Sequence, residues 1–213
     1  MVLGATAAIV LSDLDGWWPL DLRDRPGALT PWRLRLLAAD EKSCLATLRR
    51  SGIAPLTVSQ RPLVNGCGYT DGVAPAAFAL ALDKPPVMRC ALAATYAAWE
   101  RHVVQPAAKR RLGSEVREIS HFGAYSCRDI RGRPGRRSQH ATANAIDISG
   151  FTLANGRQLT LSRDWKDDGA EGRFLREIRD GACGLFVGVL SPDWNAAHAD
   201  HFHLDMGRFG VCR

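Results

Sequence analysis

Apolar residues recur at helical spacing in three parts of the chain. Thr30 and Pro31 are typical of the N-cap and first turn of a helix, and Gly52 is a typical stop signal after it. Trp99 belongs to a second run with the same spacing, which Pro106 would disturb. The pattern predicts helices over residues 32–50, 86–104 and 174–179.

Short segments of alternating or continuous apolar residues lie between the helical runs. They predict strands over residues 56–59, 116–125, 145–151, 185–189 and 202–206. Strands and helices follow one another without a regular βαβ rhythm. We therefore expect an α+β fold, a single domain in which an antiparallel sheet is flanked by helices. The predicted domain covers residues 30–213, after an N-terminal segment of residues 1–29.

Two of the predicted strands carry metal-binding side chains on one face. Within residues 145–148, Asp147 points away from the isoleucines on either side of it. The later strand alternates in the same sense, so His201 and His203 share a face, with apolar residues behind them. One metal ion could thus contact Asp147 and one or both histidines from neighbouring strands.

A third ligand, His140, must come from a loop. It lies seven residues before Asp147, an odd number that would put the two on opposite faces of a continuous strand, so the backbone has to turn between them. Three protein ligands with one position left for water are typical of a catalytic zinc site. An isolated HxH is more often a surface pair, but the segment from His140 to Asp147 favours a metal. The motifs predict a zinc hydrolase with one Zn²⁺ per chain.

The same residues resemble those of a known group of enzymes. Ser138-Gln-His140-Ala-Thr-Ala-Asn-Ala-Ile-Asp147 fits the pattern SxHxxxxAxD, and HxH follows at His201 and His203. This resembles the LAS group of zinc peptidases, which includes D-alanyl-D-alanine carboxypeptidases and murein endopeptidases. Within that group the chain is more similar to the bacterial extensin-like C-terminal domain family, over about residues 30 to 213. Further family features lie at residues 123–128, 144–151 and 195–205.

The resemblance implies a fold and a set of site residues. The fold would be that of the LAS peptidases, and zinc would be held by His140, Asp147 and His203. His201 would lie beside the metal as a catalytic or transition-state-stabilising residue. The LAS pattern usually has glycine where this chain has Ala143, a departure that removes no ligand.

Three neighbouring residues have expected roles in the site. Arg128 occupies the position where LAS peptidases carry an arginine that holds a peptide carboxylate or carbonyl. Ser138, from its family position, would hydrogen-bond either the substrate or the loop that carries His140. Asp200 is a second candidate for proton transfer, although a regular strand would point it away from His201, and as a turn residue it would only orient the backbone.

Six cysteines are dispersed along the chain: Cys44, Cys67, Cys90, Cys127, Cys183 and Cys212. Their spacing fits no zinc ribbon or CxxC redox motif, and an even number favours disulfides. Six cysteines allow fifteen connectivities. We expect pairing in chain order, because each bond would join a helix to the loop or strand that follows. Disulfides predict the periplasm or cell envelope, whereas six buried free thiols in a cytosolic protein are the alternative.

The N-terminal segment is consistent with export. Residues 2–11 form an apolar run that is too short to span a bilayer and has no basic residue before it. It could be the remnant of a signal sequence or a membrane anchor. Trp17, Trp18 and two prolines follow, which fits either a tether at the membrane boundary or an arm that packs on the domain.

Basic residues predominate in the chain, which has a net charge of +6 and a pI near 9.3, so an anionic partner is favoured. Residues 131–137 form the basic segment Arg-Gly-Arg-Pro-Gly-Arg-Arg directly before the metal motif. This segment either attracts an anionic cell-wall polymer or is a solvated loop. No nucleic-acid-binding motif is present and basic residues are not interleaved with aromatic ones, so we expect no nucleic-acid partner.

Together these features predict a zinc-dependent peptidase. Its substrates would be amide bonds in peptidoglycan stem peptides or cross-links, cut as a carboxypeptidase or an endopeptidase. The alternative is a non-catalytic cell-wall-binding or scaffolding module that retains the fold and binds the wall without turnover. A non-peptidase zinc hydrolase would share the metal site and differ in its substrate.

Overall fold

A central β-sheet with helices packed against it organises the chain. The computed structural model describes residues 20–75, 81–82 and 85–213. In these residues the α-helices are α1 (Thr30–Leu36), α2 (Glu41–Arg50), α3 (Cys90–Trp99), α4 (Gln105–Leu112), α5 (Leu161–Asp164) and α6 (Ala170–Cys183). The strands are β1 (Pro55–Thr57), β2 (Arg61–Val64), β3 (Cys67–Tyr69), β4 (Gly72–Pro75), β5 (Ala81–Leu82), β6 (Met88–Arg89), β7 (Val116–Gly123), β8 (Asp129–Ile130), β9 (Arg133–Arg137), β10 (Ala145–Leu153), β11 (Gln158–Thr160), β12 (Gly188–Leu190), β13 (Phe202–Asp205) and β14 (Val211–Cys212).

The largest sheet of the described residues has the strand order β14-β12-β13-β10-β7-β5, and β11 pairs with β10 beside this path. Its pairs are antiparallel, except for β12 with β14 and β5 with β7, which are parallel. Smaller sheets are β1-β4-β6 and the hairpins β2–β3 and β8–β9. The predicted α+β class and single domain are confirmed, although the sheet is mixed rather than wholly antiparallel. The predicted strands correspond to β1, β7, β10, β12 and β13.

The middle strand of this sheet, β10, is buried along most of its length. Its Phe151 packs against Phe174 of α6, with 5.4 Å between the ring centroids. The indole N–H of Trp99 in α3 donates to the Ile178 carbonyl of α6 at 2.9 Å. Aromatic side chains contribute large buried areas to a core. The helices and the sheet therefore share one core, which holds β10 between its neighbours.

The predicted helix over residues 32–50 is interrupted. Leu37–Ala39 form a 3-10 turn after α1, and Asp40 is extended, with φ −139° and ψ 100°. The Asp40 carboxylate accepts hydrogen bonds from the Lys42 and Ser43 amides and so caps α2. Apolar periodicity continues across the break, so the pattern alone predicts one helix where the cap creates two.

The second predicted helix begins later and continues further than expected. Met88–Arg89 form β6, and the helix begins at Cys90. The chain then passes through a π-helical turn, Glu100–Val104, into α4. Pro106 lies in the first turn of α4, where its missing N–H removes no hydrogen bond of that helix. The third helix, α6, is longer than the predicted residues 174–179.

Disulfides join parts of the chain that are distant in sequence: Cys44–Cys90, Cys67–Cys127 and Cys183–Cys212. All six cysteines are therefore paired. The expected chain-order pairing is right for Cys183–Cys212 and wrong for the other two bonds. Its assumption that a helix is bonded to the segment that follows it fails, because α2 packs against α3 and this contact brings Cys44 to Cys90.

The first described residues form an arm that packs on the domain. Leu20 and Leu22 are buried in the core. The Leu22 N–H donates to Ser51 Oγ at 2.8 Å, and the Leu22 carbonyl bonds His102 Nε2 at 2.8 Å. The apolar run of residues 2–11 and the tryptophans after it lie outside the described residues. Among the helices that the structure describes, none has the length and apolar character needed to cross a bilayer.

Replacing Phe174 by alanine tests the packing of α6 on the sheet. Loss of this fully buried ring should cost about 3 to 5 kcal/mol of unfolding free energy, through lost burial and the cavity left behind. Urea unfolding with the disulfides intact measures the change. Phe209→Ala is the matched control, because Phe209 is 81% exposed and its loss should cost less than about 0.5 kcal/mol. Equal losses in the two variants would contradict the described core.

Candidate metal centre

Two neighbouring strands place an aspartate opposite a histidine. β10 and β13 are antiparallel, and Asp147 pairs with His203 across them. Residues directly opposite each other on antiparallel strands project to the same face, with Cβ atoms about 4.5 to 5.5 Å apart. The two side chains therefore meet on one face of the sheet, as the alternation of the sequence predicts.

His140 reaches these strands from a short 3-10 turn, Gln139–Thr142. The turn ends at Ala143, whose φ of 52° and ψ of 28° lie in the left-handed region. A residue with a Cβ adopts this conformation at a cost that glycine avoids. The expected change of direction between His140 and Asp147 is thus made at Ala143.

Ser138 supports the turn that carries His140. The side chain of Ser138 is buried, and its Oγ accepts a hydrogen bond from the His140 amide at 3.3 Å. The Ser138 amide donates to the Arg128 carbonyl at 3.1 Å. Of the two roles expected for Ser138, the structure contains the bond to the loop of His140.

Ligand atoms of the three side chains converge on one point. His140 Nε2 lies 3.1 Å from Asp147 Oδ1 and 3.1 Å from His203 Nδ1, and His203 Nδ1 lies 3.0 Å from Asp147 Oδ1. Around a tetrahedral ion with bonds of about 2.0 to 2.2 Å, ligand atoms are about 3.3 Å apart. All three residues are more than nine-tenths buried. A small outward adjustment would therefore let these atoms hold a metal ion.

In His140 and His203, the ring nitrogen that does not face the other ligand atoms is also hydrogen-bonded. His140 Nδ1 lies 3.0 Å from the Ala124 carbonyl, which can only accept, so this nitrogen donates. His203 Nε2 lies 3.0 Å from Asp205 Oδ2, and this nitrogen donates to the carboxylate. Such bonds direct the other nitrogen of each ring toward a metal and fix the ring orientation. The arrangement fits a metal centre rather than a chance contact of histidines.

Asp205 is a site residue that the sequence analysis missed. Its Oδ1 also accepts a hydrogen bond from the Gly207 amide at 2.6 Å, so both carboxylate oxygens are engaged. A Cβ on Gly188 would lie 2.1 Å from Asp205 Oδ2, and one on Gly207 would lie 2.8 Å from Asp205 Oδ1. The carboxylate is thus enclosed by two glycines. The period-two alternation that joins His201 to His203 continues to Asp205, and this signal could have found it.

Electrostatics in the centre favour a charged, hydrogen-bonded group of side chains. Burial alone would raise the pKa of Asp147, but hydrogen bonds from His140 and His203 outweigh it and hold that pKa far below its usual range. Burial alone would lower the pKa of His203, but its bonds to Asp147 and Asp205 raise the pKa to about 9. The carboxylate charge of Asp147 is therefore stabilised where a cation would bind.

His201 lies beside the three ligand residues. Its Nε2 is 3.6 Å from Asp147 Oδ1, and its Nδ1 is 2.8 Å from Asp200 Oδ1. Of the two placements considered for Asp200, the structure has the turn: β13 begins at residue 202, so the regular-strand geometry that would point Asp200 away from His201 does not apply. The exposed Phe122 ring contacts His201 edge-on, with 5.7 Å between centroids. These contacts fix the ring of His201 at the edge of the centre.

His198 also contacts the site. Its ring lies 5.1 Å from that of His201 and 6.0 Å from that of His203, and its Nδ1 bonds Asn195 Oδ1 at 2.9 Å. Burial, followed by the charges of His201 and His203, lowers the pKa of His198 to about 4. His198 is therefore neutral near pH 7.

Arg128 lies at the exposed rim of the centre. Its Nη2 is 3.9 Å from Asp147 Oδ2, and its side chain is 47% exposed. At this distance the pair is only a weak ion pair. The guanidinium is therefore accessible to a ligand that approaches Asp147 from solvent.

Sequence comparison relates the chain to one family. Residues 42–213 match the family described as Extensin-like protein C-terminus. This is most of the chain, so the protein belongs to that family. The matched region contains every residue of the candidate metal centre and all six cysteines. No match was found among curated proteins or among solved structures.

Replacing Gly188 by alanine tests the enclosure of Asp205. The new methyl group would collide with the carboxylate, so Asp205 must leave His203 Nε2 or β12 must move from β13. We expect a loss of about 1 to 3 kcal/mol of unfolding free energy, measured by thermal unfolding. Gly184→Ala is the matched control, because its methyl group would meet only the Gly181 carbonyl, at 3.5 Å. A Gly188→Ala protein as stable as this control would contradict the geometry of Asp205.

Proposed function

We propose that this protein is a zinc-dependent peptidase that hydrolyses amide bonds in peptidoglycan stem peptides or cross-links. The observation that carries the proposal is the convergence of His140 Nε2, His203 Nδ1 and Asp147 Oδ1 on one point beside His201. Two imidazoles and one carboxylate are a typical donor set of a hydrolytic zinc, with one position left for water or substrate.

Similarity of motif supports the peptidase class. The residues of SxHxxxxAxD and HxH resemble those of the LAS peptidases, and in this chain they lie on a turn and on two adjacent antiparallel strands. We infer that the α+β fold is a form of the LAS peptidase fold. Membership of the extensin-like family names no reaction by itself, so the proposal depends on the chemistry of the site.

The ligand residues would keep a bound zinc in one geometry. Asp205 and the Ala124 carbonyl hold the imidazoles of His203 and His140 in the orientation that a metal needs. Zinc bound there would lower the pKa of a water ligand toward about 7 and polarise the scissile carbonyl. Burial of His140, Asp147 and His203 would strengthen the electrostatic interactions inside the site.

His201 would be the catalytic residue that handles protons. Asp200 bonds Nδ1 of His201 and so directs Nε2 toward the space beside Asp147. A protonated His201 in this position would donate a hydrogen bond to the oxyanion and pass its proton to the leaving amine. Asp200 would be a positioning residue, because its bond to Nδ1 fixes the orientation of the His201 ring. It would not itself carry the proton.

Arg128 would bind the substrate. Its exposed guanidinium lies near Asp147 Oδ2, with 3.9 Å between Arg128 Nη2 and this oxygen. The planar guanidinium can hold a carboxylate with two parallel hydrogen bonds. A terminal carboxylate or a carbonyl of a stem peptide would meet it there.

The cysteine chemistry supports a location outside the cytoplasm. All six cysteines are in disulfides, which persist in oxidising compartments. We propose the periplasm or cell envelope. An N-terminal membrane anchor remains part of this proposal, and its segment lies outside the described residues.

Metal content and affinity test the proposed centre. The purified, oxidised protein should contain one zinc per chain, and His203→Ala should lose it. Asp205→Asn should bind zinc about tenfold more weakly, because an amide cannot accept both hydrogen bonds that the carboxylate accepts. Elemental analysis and chelator competition measure these effects. Asp180→Asn, which changes an exposed carboxylate on α6, is the control and should bind like the unaltered protein. Absence of zinc would refute the site.

Turnover of muropeptides tests the role of His201. His201→Gln should keep its zinc while kcat falls about 100-fold or more, because the proton donor is lost. Mass spectrometry of the fragments measures turnover and identifies the bond. His198→Gln is the control and should keep most activity, because the low pKa of His198 keeps it neutral near pH 7, where it cannot replace His201 as a cationic proton donor. Zinc without cleavage in the unaltered protein would instead support the cell-wall-binding module.

A further inference from the structure

The basic segment before the metal motif is a β-hairpin. It consists of β8 and β9, and the whole of β9 is exposed. Between residues 119 and 146 the only acidic residue of the sequence is Asp129. Its carboxylate bonds Arg137 Nη1 at 2.8 Å and the Gly135 amide at 2.8 Å. Asp129 therefore neutralises Arg137 and stabilises the hairpin.

Three arginines of this hairpin are available to a partner. Arg131, Arg133 and Arg136 are exposed. Within the part of the chain that the structure describes, none of the three forms an ion pair. The hairpin therefore carries three positive charges that no acidic side chain of the described residues neutralises through an ion pair.

A second hairpin braces the first. Arg137 Nε donates to the Asn65 carbonyl of the β2–β3 turn at 2.8 Å. Cys67 of β3 is bonded to Cys127, two residues before β8. Residues 54–70 contain no acidic residue, so the bracing hairpin does not cancel the charge of the first. The arginines are therefore displayed on a supported surface rather than on a free loop.

Both ends of the β8–β9 hairpin lie at the metal centre. The chain enters it directly after Arg128, 3.9 Å from Asp147, and leaves it at Ser138, which bonds the loop of His140. The Ser138 amide closes the base of the hairpin on the Arg128 carbonyl at 3.1 Å. A long molecule that reaches the centre past Arg128 would therefore meet the hairpin on its way.

We propose that Arg131, Arg133 and Arg136 dock a carboxylate-bearing polymer beside the metal centre. This inference rests on the proposed function, because it takes the polymer to be the peptidoglycan whose peptides the centre would cut. The planar guanidinium of arginine can form two parallel hydrogen bonds with a planar carboxylate. A cluster of positive charges also raises the local concentration of an anionic partner.

Other anionic partners fit the hairpin less well. Residues 128–137 contain no aromatic side chain on which a base could stack, which disfavours single-stranded nucleic acid. A membrane surface would need apolar side chains to insert. The exposed Leu63 and Val64 belong to the bracing hairpin, so anionic vesicles are the competing partner in the test.

Co-sedimentation with insoluble peptidoglycan sacculi tests the docking surface in the full chain. A triple variant, Arg131→Ser with Arg133→Ser and Arg136→Ser, should bind about tenfold more weakly at low salt, the size expected for three exposed ion pairs. The matched control changes three exposed arginines elsewhere, Arg35→Ser, Arg49→Ser and Arg117→Ser, and should bind within about twofold of the unaltered protein. Both variants lose the same net charge.

Two further probes identify the partner. Sacculi whose carboxylates have been amidated should bind the unaltered protein as weakly as native sacculi bind the hairpin variant. Vesicles of phosphatidylglycerol and phosphatidylcholine should bind the two triple variants alike. The proposal is overturned if the hairpin variant binds native sacculi normally, or if the control variant loses as much sacculus binding as the hairpin variant does. It is also overturned if amidation of the sacculi has no effect, or if the hairpin variant loses binding to vesicles but not to sacculi.

Failure of the docking surface and failure of the proposed function give different results. Cleavage of a small soluble muropeptide should be unchanged in the hairpin variant, because that substrate does not extend to the arginines. If no form of the protein cleaves muropeptides but the hairpin variant still loses binding, the docking surface stands and the peptidase does not. If the protein cleaves muropeptides but the hairpin variant binds sacculi normally, the peptidase stands and the docking surface does not.

Discussion

The register between β10 and β13 is the constraint on which the candidate metal centre depends. It sets Asp147 opposite His203, and it also puts Asp205 on the same face as His203, two residues further along. A slip of one residue would turn these side chains into the core and expose their apolar neighbours. The buried helices and strands on either side of β10 therefore do more than stabilise the fold. They hold the ligand atoms within about 3 Å of each other.

Around this register the protein pairs the ring nitrogens of His140 and His203 and both carboxylate oxygens of Asp205 with specific partners. The histidines are held by a carbonyl and a carboxylate, and the carboxylate of Asp205 is held in turn by the Gly207 amide. Buried polar groups are stable only when they are paired, so the centre behaves as one connected network. Small residues at 188 and 207 are part of this network, because larger ones would displace Asp205.

The alternation of apolar and polar residues is sufficient to predict that Asp147 and His203 lie on the same face of the sheet, because side chains of a strand point alternately to its two faces. The same rule predicts that the backbone turns between His140 and Asp147. It could not predict the break at Asp40, where a side-chain cap competes with a continuous apolar pattern. Nor could it predict the bond between Asp200 and His201, which depends on where β13 begins. The pairing of the first four cysteines was beyond it too, since Cys44–Cys90 and Cys67–Cys127 join segments that only tertiary packing brings together.

The disulfide pairing also makes the order of oxidation matter. The Cys44–Cys90 and Cys67–Cys127 bonds overlap along the chain, because Cys67 lies within the first loop and Cys90 within the second. Oxidation in chain order would join Cys44 to Cys67, a bond that the native structure lacks. A free thiolate would have to attack that bond before Cys90 and Cys127 could take their partners. Since Cys127 precedes Arg128 directly, assembly of the exposed rim of the candidate metal centre would then depend on thiol exchange as well as on collapse of the core.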